Sequence, residues 1–356
     1  MKQKKLSYFN VAAMYVGAIM GAGFASGREG WQFFGVFGAK GFAGLFIAGL
    51  LFVLMGVMIS YIATELNTKD MGKIIVPWDN EVIAEWVGRF LAAILYTIII
   101  SMSAAGGSFL HQQFGCHQAV GGIIIVVLVL FTVLGNFERI SKVFRFIVPV
   151  LFTLDILLCL MVIFSDMDQS GAVTGFKPSN LAPQWGIAAV LFTAYNMLGT
   201  VPIIAEASLN AVDRKHGILG GGLGGVMLTV LTAFLVLTLR QDMAFTDGMD
   251  LPMLAYSERL GSLPNLVFGV ILFAAIYSAA TSLYYGFSTK IKESPEKKYI
   301  LIAGAVIGFF CGLSGFKSVV SFLYPLEGYI GLAIMTMITV NFIKIYRKKK
   351  KNEQNR

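Results

Sequence analysis

Residues 17–30 read GAIMGAGFASGREG and lie inside an apolar run from Tyr8 to Phe34. Gly17, Gly21, Gly23, Gly27 and Gly30 all fall within it. A glycine inside a helix costs about 1 kcal/mol relative to alanine. The stretch therefore predicts a membrane-crossing helix interrupted near its middle. Unwound backbone in a bilayer persists only where it lines a cavity or is buried in protein. There its free N–H and C=O groups become ligands, and glycine lets a solute approach the main chain. The competing reading makes the glycines helix–helix packing contacts. Packing is the expectation for Gly38, Gly41, Gly44 and the run GGGLGG at 220–225, and binding for Gly21 and Gly23.

The remainder of the chain supports a membrane setting. Of 356 residues, 56% are hydrophobic and 13% charged, with mean hydropathy +0.74. Soluble domains are about a quarter charged. A hydrocarbon layer of ~30 Å needs about 20 apolar residues per helix. Segmentation on that length gives an all-α polytopic protein with ten spans, at 8–34, 41–65, 82–110, 119–135, 143–164, 184–210, 217–239, 264–289, 299–316 and 318–343. Lys2, Lys4 and Lys5 precede the first span as in a signal peptide. No small-residue cleavage site follows, so the segment is expected to be retained. Cys116, Cys159 and Cys311 have no motif spacing and predict neither a disulfide framework nor a metal knuckle.

Ten spans put both termini on one side, and basic loops mark the cytoplasmic side. With the termini inside, the inner segments carry 22 of the 28 Lys and Arg residues. The outer loop RQDMAFTDGMD at 240–250 is acidic. The expected location is the cell (plasma) membrane, multi-pass, with cytoplasmic termini. The net charge of +8 is then a topology signal plus contact with anionic lipid, and does not argue for nucleic acid. The tail KIYRKKKKNEQNR at 344–356 reads as a stop-transfer anchor. There is no Walker motif, metalloprotease helix or nucleophile elbow, so neither ATP hydrolysis nor proteolysis is expected, and no other enzyme activity is indicated.

The long polar loop at 165–183 divides the chain into 8–164 and 184–343, with five spans each. An odd number of spans inverts the second half relative to the first, which is the plan of inverted-repeat transporters. The second half opens on LFTAYNMLGTVPIIAEASLN at 191–210, where Asn196, Gly199, Thr200 and Pro202 interrupt the apolar run. Pro removes a backbone donor, so a second broken helix is expected there.

This plan resembles the amino acid–polyamine–organocation superfamily with the LeuT fold. IMGAGF at 19–24 is similar to the first-helix turn of its amino acid carriers, and FTAYNMLGTVPIIAEAS at 192–208 to their sixth helix. GAGFASGRE at 21–29 is most similar to the YkvI-like bacterial membrane proteins. The resemblance implies a sodium site between spans 1 and 8. Carbonyls of Gly17 and Met20 would face the Ser278 carbonyl and the hydroxyls of Thr281 and Ser282, whose i, i+3, i+4 spacing shares one helix face. All five ligands are oxygens, as a hard cation requires. The hydroxyls could instead bond back to their own helix. The resemblance also implies a solute carboxylate near Gly21, held by the N–H groups of Ala22, Gly23 and Phe24. Tyr195, Asn196 and Leu198 would line the pocket, and Tyr96 or Ser101 and Ser103 would complete it. Phe24 stands where a polar side chain would serve a further ion, so one sodium is expected rather than two.

Acids at membrane depth are functional by default. Asp155, in VLFTLDILLCLMVIF, is expected near the sodium site or as a proton carrier. Glu206 is expected to pair with a base on the inner side or to take a proton. Glu327 is expected to face Arg28 as an outer gate, with Arg28 and Glu29 alternatively pairing with headgroups or with each other. His111 and His117 beside Cys116 read as solvated loop residues rather than a metal site.

The sequence thus points to a cation-coupled secondary transporter of a small solute, an amino acid or related zwitterion, working by alternating access, with sodium as coupling ion. The alternatives are proton coupling through Asp155 or Glu206, and a nutrient-sensing subunit like those of germinant receptors. Substrate identity and oligomeric state stay open.

Overall fold

The computed structural model describes residues 5–78, 80–134, 138–165, 175–288, 291–292 and 294–354; the side chains of 138–147 and of Ser282 lie outside that description. The described chain is helical, with one isolated bridge pairing Leu6 with Ala211.

The first span is discontinuous, as its glycines predict. It consists of α1 (Tyr8–Ile19), α2 (Ala22–Ala25) and α3 (Arg28–Phe33). Gly27 separates the last two at φ +77°, a left-handed conformation that favours glycine. The following spans are α4 (Ala39–Leu66), α6 and α7 (Glu81–Tyr96 and Ile98–Phe114, joined at Thr97), α8 (Gln118–Val133) and α9 (Glu138–Ile163). A short α5 (Met71–Ile75) precedes α6. The second half holds α10 (Trp185–Leu209), α11 (Arg214–Leu239), α14 (Ser262–Ser288), α15 (Lys297–Gly312) and α16 (Phe316–Gln354). Of two short helices that the apolar pattern does not predict, α12 (Met243–Gly248) lies in the acidic loop and α13 (Pro252–Leu260) follows it. Among the described residues, six helical segments are long and apolar enough to cross a membrane, and α1, α8 and Val148–Ile163 are shorter apolar ones.

The sixth span departs from expectation. α10 runs unbroken through Pro202. The proline leaves the Leu198 carbonyl without its helical donor. The polar side chains of the same stretch are satisfied within the helix: Asn196 Nδ2 donates to Phe192 O (2.9 Å), and Thr200 Oγ1 to Asn196 O (3.1 Å). Packing on both sides holds the helix together where propensity alone would interrupt it.

The helices sort into two groups. α1, α4, α10 and α11 pack on one another, as do α7, α8, α14 and α15, with α9 bridging α1, α11 and α14. Small residues make the close approaches. A Cβ on Gly56 would strike the Gly221 carbonyl, and one on Gly225 would lie 2.6 Å from the Val53 nitrogen, so the 220–225 run packs α11 onto α4. Gly41 meets the Phe34 carbonyl in the same way. Gly38 is different: it faces open space and serves the turn into α4 at φ +60°. Gly56→Val is expected to lower stability by about 1–3 kcal/mol or to prevent folding, because backbone blocks the added methyls. Gly186→Ala, a helical position with nothing within 4 Å, should be neutral or slightly stabilising. Thermal unfolding of the purified protein reads both; equal losses would refute this packing account.

Both termini lie at one end of the bundle. Leu6 N–H donates to Asn210 O (2.8 Å), and Arg214 at the start of α11 pairs with Glu65 at the end of α4. Lys349 of the tail reaches the same Glu65 at 3.1 Å. At this end Asp213 caps α11, and the backbone N–H of His216 holds its carboxyl below the usual range.

Candidate functional site at the broken first span

The break is built by backbone. Met20 closes α1 with ψ 72°, and Gly21 is extended. The Gly21 N–H turns to Ile19 O at 2.6 Å rather than continuing the helix. The Gly17 carbonyl thereby loses its helical donor and is free to meet a ligand. Gly21 lies directly against α14, where its Cβ would come 3.3 Å from that of Ala279.

α1, α9 and α14 converge here. Ser278 and Thr281 are buried. Ser278 Oγ bonds back to Ala275 O (3.1 Å), while Thr281 Oγ1 is buried without a hydrogen-bond partner. Asp155 on α9 is fully buried, and neither carboxylate oxygen has a partner. Unsatisfied buried oxygens are uncommon and each asks for an explanation. The Ser282 side chain lies outside the described residues.

Beside the break sits a cavity of about 60 Å³ between the two helix groups, room for several waters or a small solute headgroup. Gly21, Tyr195, Asn196 and Leu198, expected from the sequence, line it. So do Thr97, Tyr324 and two acids, Glu29 and Glu327. The Tyr195 hydroxyl donates to Glu29 and the Thr97 hydroxyl to Glu327. The Tyr195 and Tyr324 rings stack with centroids 4.8 Å apart. Ser101 is buried, with its hydroxyl beside that of Tyr324. The larger cleft, about 970 Å³, opens between the end of α4 and the tail of α16 and contains none of these groups.

Several expected residues point elsewhere. The Tyr96 hydroxyl donates to Gly304 O on α15 (2.9 Å). Ser103 is wedged against Gly122 and Gly312, between α8 and α15. Both fall on the far face of the third span, which helical phase alone did not reveal. Ala22, Gly23 and Phe24 are buried in α2, but a Cβ on Gly23 would overlap the Glu29 carboxylate, so a resident acid already lies against this turn.

The charge assignments also change. Glu327 does not face Arg28. The Arg28 guanidinium instead donates to carbonyls of Thr246 (3.4 Å), Asp247 (3.2 Å) and Met249 (3.1 Å) in the loop between α11 and α14. Asp247 Oδ1 accepts from Trp31 Nε1 (2.9 Å), and Lys317 of α16 donates to Asp247 O (2.6 Å). Asp247 is thus the centre of a latch joining α3, the loop and α16. Neither Arg28 nor Glu29 reaches a headgroup, since both are buried. Glu206 pairs with Lys69 at 3.2 Å, the base partner expected of it. His117 accepts the Ala119 N–H at the start of α8, whereas His111, expected in the loop, lies in the last turn of α7 and bonds Cys116 O. Thr97 and Tyr324 escaped the sequence reading, and Glu29 was read only as a partner for headgroups or for Arg28. An acid inside an apolar run was the available signal for Glu29, but its neighbour Arg28 suggested a local pair.

A broken first span, two packed helix groups and a polar cavity between them define a secondary transporter of the LeuT type. The chain belongs to the sodium:alanine symporter family, whose sequence model matches residues 56–356, and it is a cation-coupled transporter of small solutes. The Bacillus subtilis membrane protein YkvI is 27% identical over 351 residues, which cover 94% of this chain and 96% of that protein. Among solved structures, the inward-facing conformation of Mhp1 aligns with a TM-score of 0.60 at 12% identity, covering 93% of this chain and 77% of Mhp1. A point mutant of the Eremococcus coleocola manganese transporter aligns with a TM-score of 0.55 at 12% identity, covering 95% of this chain and 76% of that one. These two likenesses concern the fold.

Proposed function

We propose that the protein is a sodium-coupled symporter for an amino acid or related small zwitterion, with both termini cytoplasmic. In this reading the ligands of sodium are the carbonyls of Gly17, Met20 and Ser278 and the hydroxyls of Thr281 and Ser282. The solute occupies the cavity beside Gly21. The observation that carries this reading is the Thr281 hydroxyl, buried without a partner on the helix that packs against the break. A cation there supplies the missing interaction and ties α14, in one helix group, to α1, in the other. Residues 8–164 and 184–343 act as the two inverted repeats, and α1, α4, α10 and α11 move as a body against α7, α8, α14 and α15. The Asp247 latch closes one side. Coupling follows if sodium binds one arrangement more tightly than the other.

Asp155 favours a second reading, proton coupling, because its carboxylate is buried without a partner. Glu206 does not, since Lys69 pairs with it. Transport assayed in proteoliposomes separates the two. Sodium-driven uptake should survive Asp155→Asn, and uptake driven by protons through that group should not.

The primary test is thermal stability of the purified protein against an amino acid panel, in sodium or in potassium. A ligand at a hundred times its dissociation constant adds about 2.7 kcal/mol. A stabilising amino acid that requires sodium supports the symporter. A hit indifferent to sodium removes the sodium assignment and favours protons or solute sensing.

A further inference from the structure

We propose that Glu29 and Glu327 form a subsite for a protonated amine, and that the transported solutes are recognised by that ammonium group rather than by a carboxylate. The inference rests on the reading of the cavity as the solute site and names the chemistry it selects.

Four observations carry it. Both acids line one cavity, Glu29 from the outer part of the broken span and Glu327 from α16. Among the described residues, no basic side chain pairs with either. Arg28, the sequence neighbour of Glu29, is committed to the loop carbonyls of Thr246, Asp247 and Met249. A buried carboxylate without a counter-charge is costly, and a cation between two of them offsets that cost. Second, a single hydroxyl donates to each acid among the described residues, Tyr195 to Glu29 and Thr97 to Glu327, which leaves acceptor capacity on both. An ammonium group brings three donors.

Third, the stacked rings of Tyr195 and Tyr324 line the same space. Aromatic faces attract cations and offer little to anions. Fourth, the Tyr324 hydroxyl lies beside that of Ser101, which is 1% exposed, so the aromatic wall of the cavity carries oxygens able to accept from an ammonium group. Ser101 is one turn from Thr97 on the same helix face. The carboxylate of Glu29 meanwhile lies against Gly23, where it would overlap a Cβ. A second negative charge brought there would be repelled.

The experiment compares L-alaninamide, an amine without a carboxylate, with propionate, a carboxylate without an amine. Both are titrated against the purified full-length protein in sodium and in potassium buffer, with thermal stability as readout. Potassium replaces sodium because a quaternary ammonium salt would itself compete for the subsite. Alaninamide is expected to stabilise the protein and propionate to have no effect. Glu29→Gln and Glu327→Gln, checked for folding by size exclusion and helical circular dichroism, are each expected to weaken alaninamide binding at least tenfold. Stabilisation by propionate alone, by neither probe, or by alaninamide equally in wild type and folded Gln variants would overturn the proposal. If the variants do not fold, the wild-type comparison decides it. The two readings fail separately. Alaninamide binding that ignores sodium keeps the amine subsite and removes sodium coupling. A sodium-induced shift without alaninamide binding does the reverse.

Discussion

Thr281→Val is expected to raise the melting temperature of the protein in potassium and to abolish the further rise that sodium produces. The two effects have opposite signs for one reason. Without a cation the hydroxyl is buried and unsatisfied, and a group in that state costs about 1–3 kcal/mol. Valine has nearly the same shape and no hydroxyl, so that cost disappears. In sodium the hydroxyl is a ligand, and its removal should raise the half-saturating sodium concentration at least tenfold. At about 2 °C per kcal/mol the shifts are readable by differential scanning fluorimetry. A merely structural threonine would lose stability equally in both buffers, and that result would defeat the ion site. Ser278→Ala should show a smaller sodium effect, because the carbonyl at that position is the proposed ligand and the hydroxyl already bonds Ala275 O.

Asp247→Ala should release the latch joining α3, α12 and α16, which the proposed transport cycle uses to close the cavity on that side. Asp247 accepts from the buried Trp31 indole and lies 3.9 Å from Arg28, which is itself buried. Both partners lose an acceptor in the variant. Full burial would make the loss about 3–5 kcal/mol, but the Asp247 side chain is 39% exposed, so about 1–2 kcal/mol is the reasonable discount. Roughly 1.4 kcal/mol is a tenfold change in a two-state population. The readout is labelling of Ile98→Cys, a cavity-lining position, by an impermeant maleimide. Cys116, Cys159 and Cys311 are first replaced by alanine. The labelling rate from the latch side is expected to rise about tenfold over the parent, while Glu258→Ala, an exposed position on α13, leaves it unchanged. Equal rates would mean that Asp247 only stabilises the loop.

The latch and the acid pair show where sequence reading reached its limit. Arg28, Glu29 and Glu327 were each visible as charges in apolar surroundings. Their partners were not, because Arg28 bonds to carbonyls more than 200 residues away. Carbonyls carry no sequence signature. The neighbours Arg28 and Glu29 suggested a local pair, yet the structure directs one to the loop between α11 and α14 and the other into the cavity. Tyr96 and Ser103 failed for a related reason. Both lie on the third span, but helical periodicity does not say which neighbour each face meets, and theirs is α15 and α8. Pro202 was over-read, since intrinsic propensity yields to packing when α4 and α16 hold the helix on both sides.

What the sequence alone determined is local or additive. Apolar length placed the spans, because a bilayer of fixed thickness needs a fixed number of residues. Clustered glycines placed the break in the first span, since backbone conformational cost acts residue by residue. Small residues at 220–225 marked a close helix contact for the same reason. Tertiary structure decided which charges face each other, which hydroxyls stay unsatisfied, and that two acids share one cavity. Those properties depend on distances between residues remote in the chain, and burial makes them matter, because in a low-dielectric interior an unpaired polar group must find a partner or a ligand.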